Sequence, residues 1–436
     1  MKKFVWILLA LCLLLGCAVG YLASKSDAKD EGAPVALYEA ENVAAPAEEA
    51  PAAEAAPAAG EETPAAEAAP AAGEETPAAE ASPVRYLDYE RIYALHAPDE
   101  IVGSVEGREL SWDEYFYWLH DMGTQAESYI RSLAMYGQSL SWTDKLSSDS
   151  EQTLAEYVLE LTGETTKQMA VIEAIAAENG VTLTAEEEAA LDAQLQETIL
   201  TACGMGATEE DFNALLAENF ISRAMYDRIG RANYLFQDSF TALFGEDGAD
   251  VSEADALAYL EENEYIGAAH ILFMTIDPET FEPLDDGTVA EKLAQAEAVS
   301  AELKAIEDTD ARVKRFAELK EQYCEDTGKT AYPDGYLFMP GTMSSTEFEA
   351  GALALGEYEV SEPVLSAYGY HVIMRLPLSA EMTVDFTDAG TPLTARSLYA
   401  DAQFDAMMNA RFEQSVLTLS DEVAALDLTE YLTEGE

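Results

Sequence analysis

Basic residues are scarce in this chain. Lysine and arginine together number 23 against 84 aspartates and glutamates, a formal net charge of −61 over 436 residues. A surface so acidic repels phosphate backbones, which argues against a nucleic-acid partner. The acidity is spread along the whole chain, so it favours solubility and self-repulsion over one specific basic partner. Cysteine is equally sparse: there are four, and Cys12 and Cys17 fall in the N-terminal segment, leaving Cys203 and Cys324 far apart in the remainder. Two such thiols do not make a disulfide framework, and each reads first as a small buried hydrophobe, with a bridge between them left open. Histidine is limited to His96, His120, His270 and His371. Any imidazole chemistry must come from that short set.

The only strongly apolar N-terminal run follows Lys2 and Lys3 and extends from Phe4 to Leu15, ahead of Gly16-Cys17. This arrangement is similar to a bacterial lipoprotein signal, with Cys17 as the residue to be lipidated. Without cleavage, Phe4 to Ala23 gives about 20 mostly apolar residues, enough to span a bilayer. Either route predicts an anchored protein on the extracytoplasmic face of a bacterial cell membrane. Residues 24–83 are then dominated by alanine, proline and glutamate, with a thirteen-residue unit repeated from Glu48, from Glu61 and, truncated, from Glu74. No apolar period runs through it, so this stretch is expected to be a disordered, extended stalk.

Helical periodicity dominates 84–264. Apolar residues recur three or four apart at Leu154, Tyr157, Val158 and Leu161, then at Met169, Ile172 and Ile175, which predicts a long amphipathic helix. Ser111, Thr184, Thr208 and Ser252, each followed three residues later by an acidic residue, read as helix starts. Met225, Tyr226, Phe236, Phe240 and Phe244 supply either ordinary core or an adaptable apolar cradle for unfolded chains. Residues 398–417 form one more amphipathic helix, with Phe404, Met407, Met408 and Phe412 on one side.

Between these helical parts lies 265–378. A β-branched, apolar run, Ala268-Ala269-His270-Ile271-Leu272-Phe273, reads as a strand, and Gly369-Tyr370-His371-Val372-Ile373-Met374 as a second. Between them come Tyr323-Cys324-Glu325-Asp326, Asp334-Gly335-Tyr336-Leu337, Gly341-Thr342-Met343, Phe348-Glu349-Ala350, and Val360-Ser361-Glu362-Pro363-Val364. In this order the motifs resemble the parvulin family of peptidyl-prolyl cis/trans isomerases, over about a quarter of the chain. The flanking helical parts resemble extracytoplasmic foldases of the PrsA and SurA type.

The resemblance implies an α+β fold: a parvulin domain, with a small antiparallel sheet wrapped by helices, inserted into a mainly α-helical chaperone domain. The domains expected are an anchor at 1–23, a stalk at 24–83, an N-terminal helical domain at 84–264, the parvulin domain at 265–378, and a C-terminal helical segment at 379–436 that packs on the chaperone domain. Carried over by position, His270, Asp326, His371 and Ser366 would form the polar catalytic wall. Leu337, Met343 and Phe348 would form the proline slot, with Tyr368 beside it. No cofactor and no metal are implied. The partners implied are unfolded or partly folded secreted polypeptides with X–Pro bonds, and the membrane through the N-terminal anchor. This chain departs from the family pattern in Asp334-Gly335, where parvulins carry paired glycines, and in the longer turn at Tyr358-Glu359.

Isomerising an X–Pro bond breaks no bond. The rotation barrier is about 18–20 kcal/mol, and an enzyme need only bind the twisted amide more tightly than either planar form. Three other readings compete. A non-catalytic holdase could retain the parvulin fold as a binding module. A cell-envelope scaffold lipoprotein would account for the acidic stalk. A cysteine hydrolase built on Cys324 would need a base in contact and an oxyanion hole, a pattern that nothing else in the sequence supplies.

Overall fold

The computed structural model describes residues 85–147, 150–386 and 390–434. The signal segment, Cys17 and the repeat stalk lie outside the described residues. Among the described residues no helix is long and apolar enough to cross a membrane. The chain divides into two compact units, and the boundaries fall inside three of its helices.

In chain order the elements are β1 (Arg85–Leu87), α1 (Tyr89–Tyr93), β2 (Ile101–Val105), β3 (Arg108–Ser111), α2 (Trp112–Met135), α3 (Leu154–Glu178), α4 (Ala185–Cys203), α5 (Glu209–Glu218), α6 (Arg223–Phe244) and α7 (Glu253–Glu262). There follow β4 (Ile266–Met274), α8 (Asp286–Lys304), α9 (Thr309–Tyr323), β5 (Tyr336–Phe338), α10 (Thr346–Leu353), β6 (Val364–Leu365) and β7 (Gly369–Leu376). The chain closes with β8 (Thr383–Phe386), β9 (Pro392–Thr394), α11 (Ala395–Gln414), β10 (Thr418–Leu419) and β11 (Leu432–Glu434). The helix starts are those their sequence dictates: Ser111, Thr208 and Ser252 each accept the backbone N–H three residues on, and Thr184 and Glu187 cap each other reciprocally.

One unit joins 85–166 and 199–225 to the C-terminal residues from Leu417. Antiparallel pairing of β1 with β11, and of β10 with β2 beside β3, brings the two ends of the described chain together. Its core is aromatic, with Trp112, Phe116, Leu119, Trp142 and Val158 buried in one cluster. Both buried indoles in this cluster find acceptors: Trp112 donates to the Tyr93 carbonyl at 2.9 Å and Trp142 to that of Arg85 at 3.1 Å.

The other unit comprises Lys167–Thr198 and Tyr226–Val416. In its helical part, Val171, Ile172 and Ile175 of α3 pack with Phe404 and Met408 of α11 and with the Phe236, Phe240 and Phe244 stripe of α6. Charged side chains flank the seam: Lys167 lies over the Phe412 ring and Arg411 pairs with Glu178.

Its second part is a four-stranded, wholly antiparallel sheet in the order β5-β4-β7-β6. β4 is a central strand, buried at every position from Ile266 to Phe273, so both of its faces must find cover. Side chains alternate across a strand, and the two faces meet different partners. Ala269, Ile271, Phe273, Val372 and Met374 pack under α8 and α9 through Ala296, Val299, Leu303, Phe316 and Leu319. Ile266, Ala268 and Ile373 pack under α10 through Phe348 and Ala352. His270 has the parity of Ala268, and His371 that of Ile373. Both imidazoles therefore emerge on the α10 face.

Candidate functional site

Two glycines let this sheet close tightly. Gly335 turns the chain into β5 with φ +103°, and a Cβ there would come within 2.8 Å of the Ala268 carbonyl. Gly369 opens β7 with φ +148°, where a Cβ would meet the Phe273 carbonyl at 2.2 Å. Only a residue without a side chain fits either position. The register that follows pairs Leu272 with His371, His270 with Ile373, and Ala268 with Tyr336.

A continuous chain of hydrogen bonds crosses the α10 face. The Nδ1 atoms of His270 and His371 are 2.9 Å apart. His270 Nε2 lies 2.8 Å from Asp326 Oδ2, and the Tyr336 hydroxyl donates to the same oxygen at 2.6 Å. Asp326 Oδ1 accepts the Gly328 N–H at 2.9 Å. At the other end Ser366 Oγ is 2.7 Å from His371 Nε2 and accepts the Tyr368 N–H at 3.1 Å. With Asp326 ionised, one set of protons satisfies every link. His270 carries its proton on Nε2 and donates to Asp326; His371 carries its proton on Nδ1 and donates to His270; Ser366 donates to His371. Both imidazoles are neutral in that arrangement.

The electrostatics agree with it. Burial opposes the charge on Asp326, yet the hydrogen bonds from His270 and Tyr336 outweigh it and hold the carboxyl well below its usual range. Burial, reinforced by the nearby His270, pushes His371 down to about 3. Burial and then the Asp326 carboxylate raise the Tyr336 phenol, which stays protonated and available as a donor.

Phe348 forms the apolar floor. It is 1% exposed, and its ring centroid lies 5.1 Å from that of His270 and 5.7 Å from that of His371. Ser345 caps α10 and takes the Phe348 N–H at 3.2 Å, which fixes the helix start that presents this ring. Met343 packs in the same cluster. Its loop is held by Glu349, whose carboxylate accepts the N–H groups of Gly341 at 2.8 Å and Met343 at 3.3 Å.

The structure thus brings His270, Asp326, His371, Ser366, Phe348 and Met343 together. It does not bring Leu337 with them. Leu337 pairs with Gly267, whereas Tyr336 and Phe338 pair with Ala268 and Ile266, so alternation turns Leu337 to the opposite face of the sheet. Phe338 is the residue of β5 that packs with Phe348. The Tyr368 side chain is 39% exposed; its contribution is the backbone N–H on Ser366. Tyr336 was not anticipated, because its parity in a three-residue strand is unknown until the pairing is.

Cys324 is buried and faces backbone. Its sulfur accepts the Leu272 N–H at 3.4 Å and lies 3.6 Å from the His270 carbonyl, and burial raises its thiol. Cys203 and Cys324 are both free. No hydrolase pair exists at Cys324, since the sulfur contacts no imidazole nitrogen. Among the described residues no group of three or more His, Cys, Asp or Glu is placed to hold a metal ion.

Residues 270–376 match the rotamase family, described as the PPIC-type PPIASE domain. Over these residues the chain carries a parvulin-type domain. The proteins similar to it include Foldase protein PrsA 1 of Bacillus cereus, 40% identical over 86 residues, which cover 20% of this chain and 30% of that one. Foldase protein PrsA of Oceanobacillus iheyensis is 30% identical over 189 residues, covering 42% of this chain and 52% of that one. The chain therefore spans about a third to a half of the length of these two relatives. Among solved structures, the crystal structure of PrsA from Bacillus subtilis is 19% identical, covers 62% of this chain and 90% of that one, and has a TM-score of 0.24.

Proposed function

We propose that this protein is a peptidyl-prolyl cis/trans isomerase and chaperone that assists the folding of secreted proteins outside the cytoplasmic membrane. The observation that carries the reading is the unbroken chain Tyr336–Asp326–His270–His371–Ser366 laid across the Phe348 ring within the parvulin domain. An apolar floor beside a rigid polar wall suits an amide whose carbonyl loses negative charge as it twists. Catalysis would come from binding that twisted state. The imidazoles would act as fixed hydrogen-bonding groups, since the single proton of each neutral ring is already engaged, His270 with Asp326 and His371 with His270. Asp326 would disfavour excess charge on the substrate oxygen.

The test is a prolyl isomerisation assay on the purified full chain with Ala-Pro and Leu-Pro peptides. Parent activity together with a loss of about tenfold or more in kcat/KM for His270→Asn is the expected result. Absence of parent activity, with the fold intact, would transfer the function to the second reading, a holdase that uses the parvulin fold for binding. Exposed Met135 (78%), Tyr136 (81%) and Met205 (95%) favour that activity alongside catalysis. Suppression of aggregation of an unfolded client separates either reading from a scaffold lipoprotein.

The clients are read as unfolded or partly folded secreted polypeptides with X–Pro bonds. Nucleic acid is disfavoured by the net charge of −61. Anchoring is read from Gly16-Cys17 behind the apolar N-terminal run. Cys17→Ala should abolish lipid labelling and leave an unprocessed precursor; normal maturation of that variant would reject the lipid anchor.

A further inference from the structure

We propose that Tyr336 is a positioning residue of this isomerase site, holding the Asp326 carboxylate so that Oδ2 faces His270. The proposal rests on the isomerase reading above and deepens it. Oδ2 accepts two bonds, from His270 and from the Tyr336 hydroxyl, while Oδ1 is fixed by the Gly328 amide. A carboxylate gripped at both oxygens cannot turn about its terminal torsion. The approach of the hydroxyl is built into the backbone on two sides. A Cβ at position 328 would come within 2.3 Å of the Tyr336 hydroxyl, and Gly335, immediately before Tyr336, adopts a φ that places the tyrosine opposite Ala268.

The ring is held separately from its hydroxyl. Tyr336 lies 5.0 Å from Tyr332, 5.7 Å from His270 and 6.3 Å from Phe348, centroid to centroid. Tyr332 in turn meets Phe386 of β8 at 5.6 Å. Phenylalanine at 336 would keep this packing and remove only the donor.

The other titratable groups around Asp326 do not duplicate the donor. From α9, Lys320 donates to the Pro333 carbonyl; from the loop, Lys329 donates to the Cys324 carbonyl. Cys324 faces the backbone of β4, and Asp334 and Asp385 carry negative charge. Losing the hydroxyl therefore removes one of two side-chain donors to the carboxylate, with His270 the other. The direction of every bond from Asp326 to Ser366 depends on that carboxylate staying ionised and oriented. A loosened Asp326 lets the imidazoles exchange tautomers, and the polar wall presented to the substrate is no longer single.

The experiment compares the full chain with Tyr336→Phe, with Asp326→Asn and with the double variant. All are labelled with nitrogen-15 at histidine, of which the chain has only four. In the parent, His270 should show a neutral, Nε2-protonated signal, and protonation of Asp326 should register as an acid-end step in the imidazole signals. Tyr336→Phe should move that step up by about one pH unit. It should lower kcat by about fivefold to tenfold while KM stays within about twofold. In the Asp326→Asn background the same change should alter kcat/KM by less than about twofold. An unmoved acid step, or an equal loss in both backgrounds, would overturn the proposal. If the parent is inactive on every X–Pro peptide, the isomerase reading falls, and the imidazole titration still decides whether Tyr336 positions Asp326.

Discussion

Nδ1 of His371 lies 2.9 Å from Nδ1 of His270, and a hydrogen bond between two δ nitrogens requires that only one of them carry a proton. That condition explains why two histidines can share a buried face beneath Phe348. Each ring satisfies the other while both remain neutral, and neither charge has to be solvated in the interior. The proton arrangement from Asp326 to Ser366 holds only while His371 stays neutral, with its Nε2 free to accept from Ser366.

A pH dependence of stability follows. His371 is held at about 3 against an ordinary 6.5 by burial and then by the neighbouring His270. The unfolded chain therefore binds a proton at this position below pH 6.5 that the folded chain refuses, and stability falls as pH drops from 6.5 toward 3. The gap corresponds to roughly 5 kcal/mol if fully expressed. Asp326, whose folded pKa is depressed, adds a loss in the same direction only below its unfolded value of 3.8. Asp121 and Asp401, raised by burial to about 7 and about 6, act oppositely over the same range, so the informative quantity is a difference between variants. Chemical denaturation at pH 7 and pH 4.5 should show His371→Asn losing less stability than the parent on acidification, by roughly 2 kcal/mol. Parallel losses in the two proteins would contradict the neutral pair.

The floor of the site makes a second prediction. Phe348 is fully enclosed and meets His270 edge-on and His371 at a tilt. Phe348→Ala should cost about 3–5 kcal/mol of stability, as expected for emptying a packed aromatic site. Phe348→Leu should cost less and recover part of kcat/KM. Equal activity for the alanine and leucine variants would show that this ring is packing alone.

The polar wall was legible in the sequence because two runs rich in apolar residues each hold one histidine, and strand alternation puts them on a common face once the strands pair. Asp326 and Ser366 were reached through motif order. Leu337 falls on the opposite face of the sheet for a physical reason. A strand of three residues, Tyr336-Leu337-Phe338, is apolar throughout, so no alternation marks which residues face inward. Its phase is set by Gly335 meeting the Ala268 carbonyl, a contact across more than sixty residues of sequence. The pairing of β1 with β11 was hidden likewise, since three-residue strands at opposite ends of the described chain carry no periodic signal. Long helices with paired caps, by contrast, announced themselves at Ser111, Thr208 and Ser252.

Cys324 gives a third prediction. Its sulfur is bound to the backbone of β4 and its thiol is raised by burial, so it is a poor nucleophile. A thiol reagent applied to the native chain should leave Cys324 unmodified until the protein is denatured. Cys324→Ala should keep isomerase activity within about threefold. Rapid native labelling at Cys324, coupled to loss of activity, would reopen the nucleophile reading.

The last prediction concerns substrate charge. Phosphoserine or phosphothreonine before the proline brings about −1.5 to −2 charges, and binding it takes cationic side chains or free backbone N–H groups. The loop after β4 is poor in both. From Thr275 to Asp286 it contains five carboxylates and no basic residue. Several of its N–H groups are also taken. Asp277 Oδ1 accepts those of Glu279 and Thr280, each at 2.9 Å, the Asp277 N–H donates to the Glu282 carbonyl at 2.8 Å, and the Leu284 N–H donates to that of Thr275 at 2.9 Å. Asp277 is held ionised by these same backbone bonds, as its lowered pKa reflects. A phosphate at this rim would meet negative charge and no unoccupied donor among these four amides. The measurement is kcat/KM on matched Ala-Pro, Glu-Pro and phosphoserine-Pro peptides at low ionic strength, where repulsion is least screened. Ala-Pro should be best and phosphoserine-Pro worst, and added salt should narrow the gap. A phosphopeptide advantage that salt abolishes would mean that cations elsewhere on the domain, not this loop, govern what the site accepts.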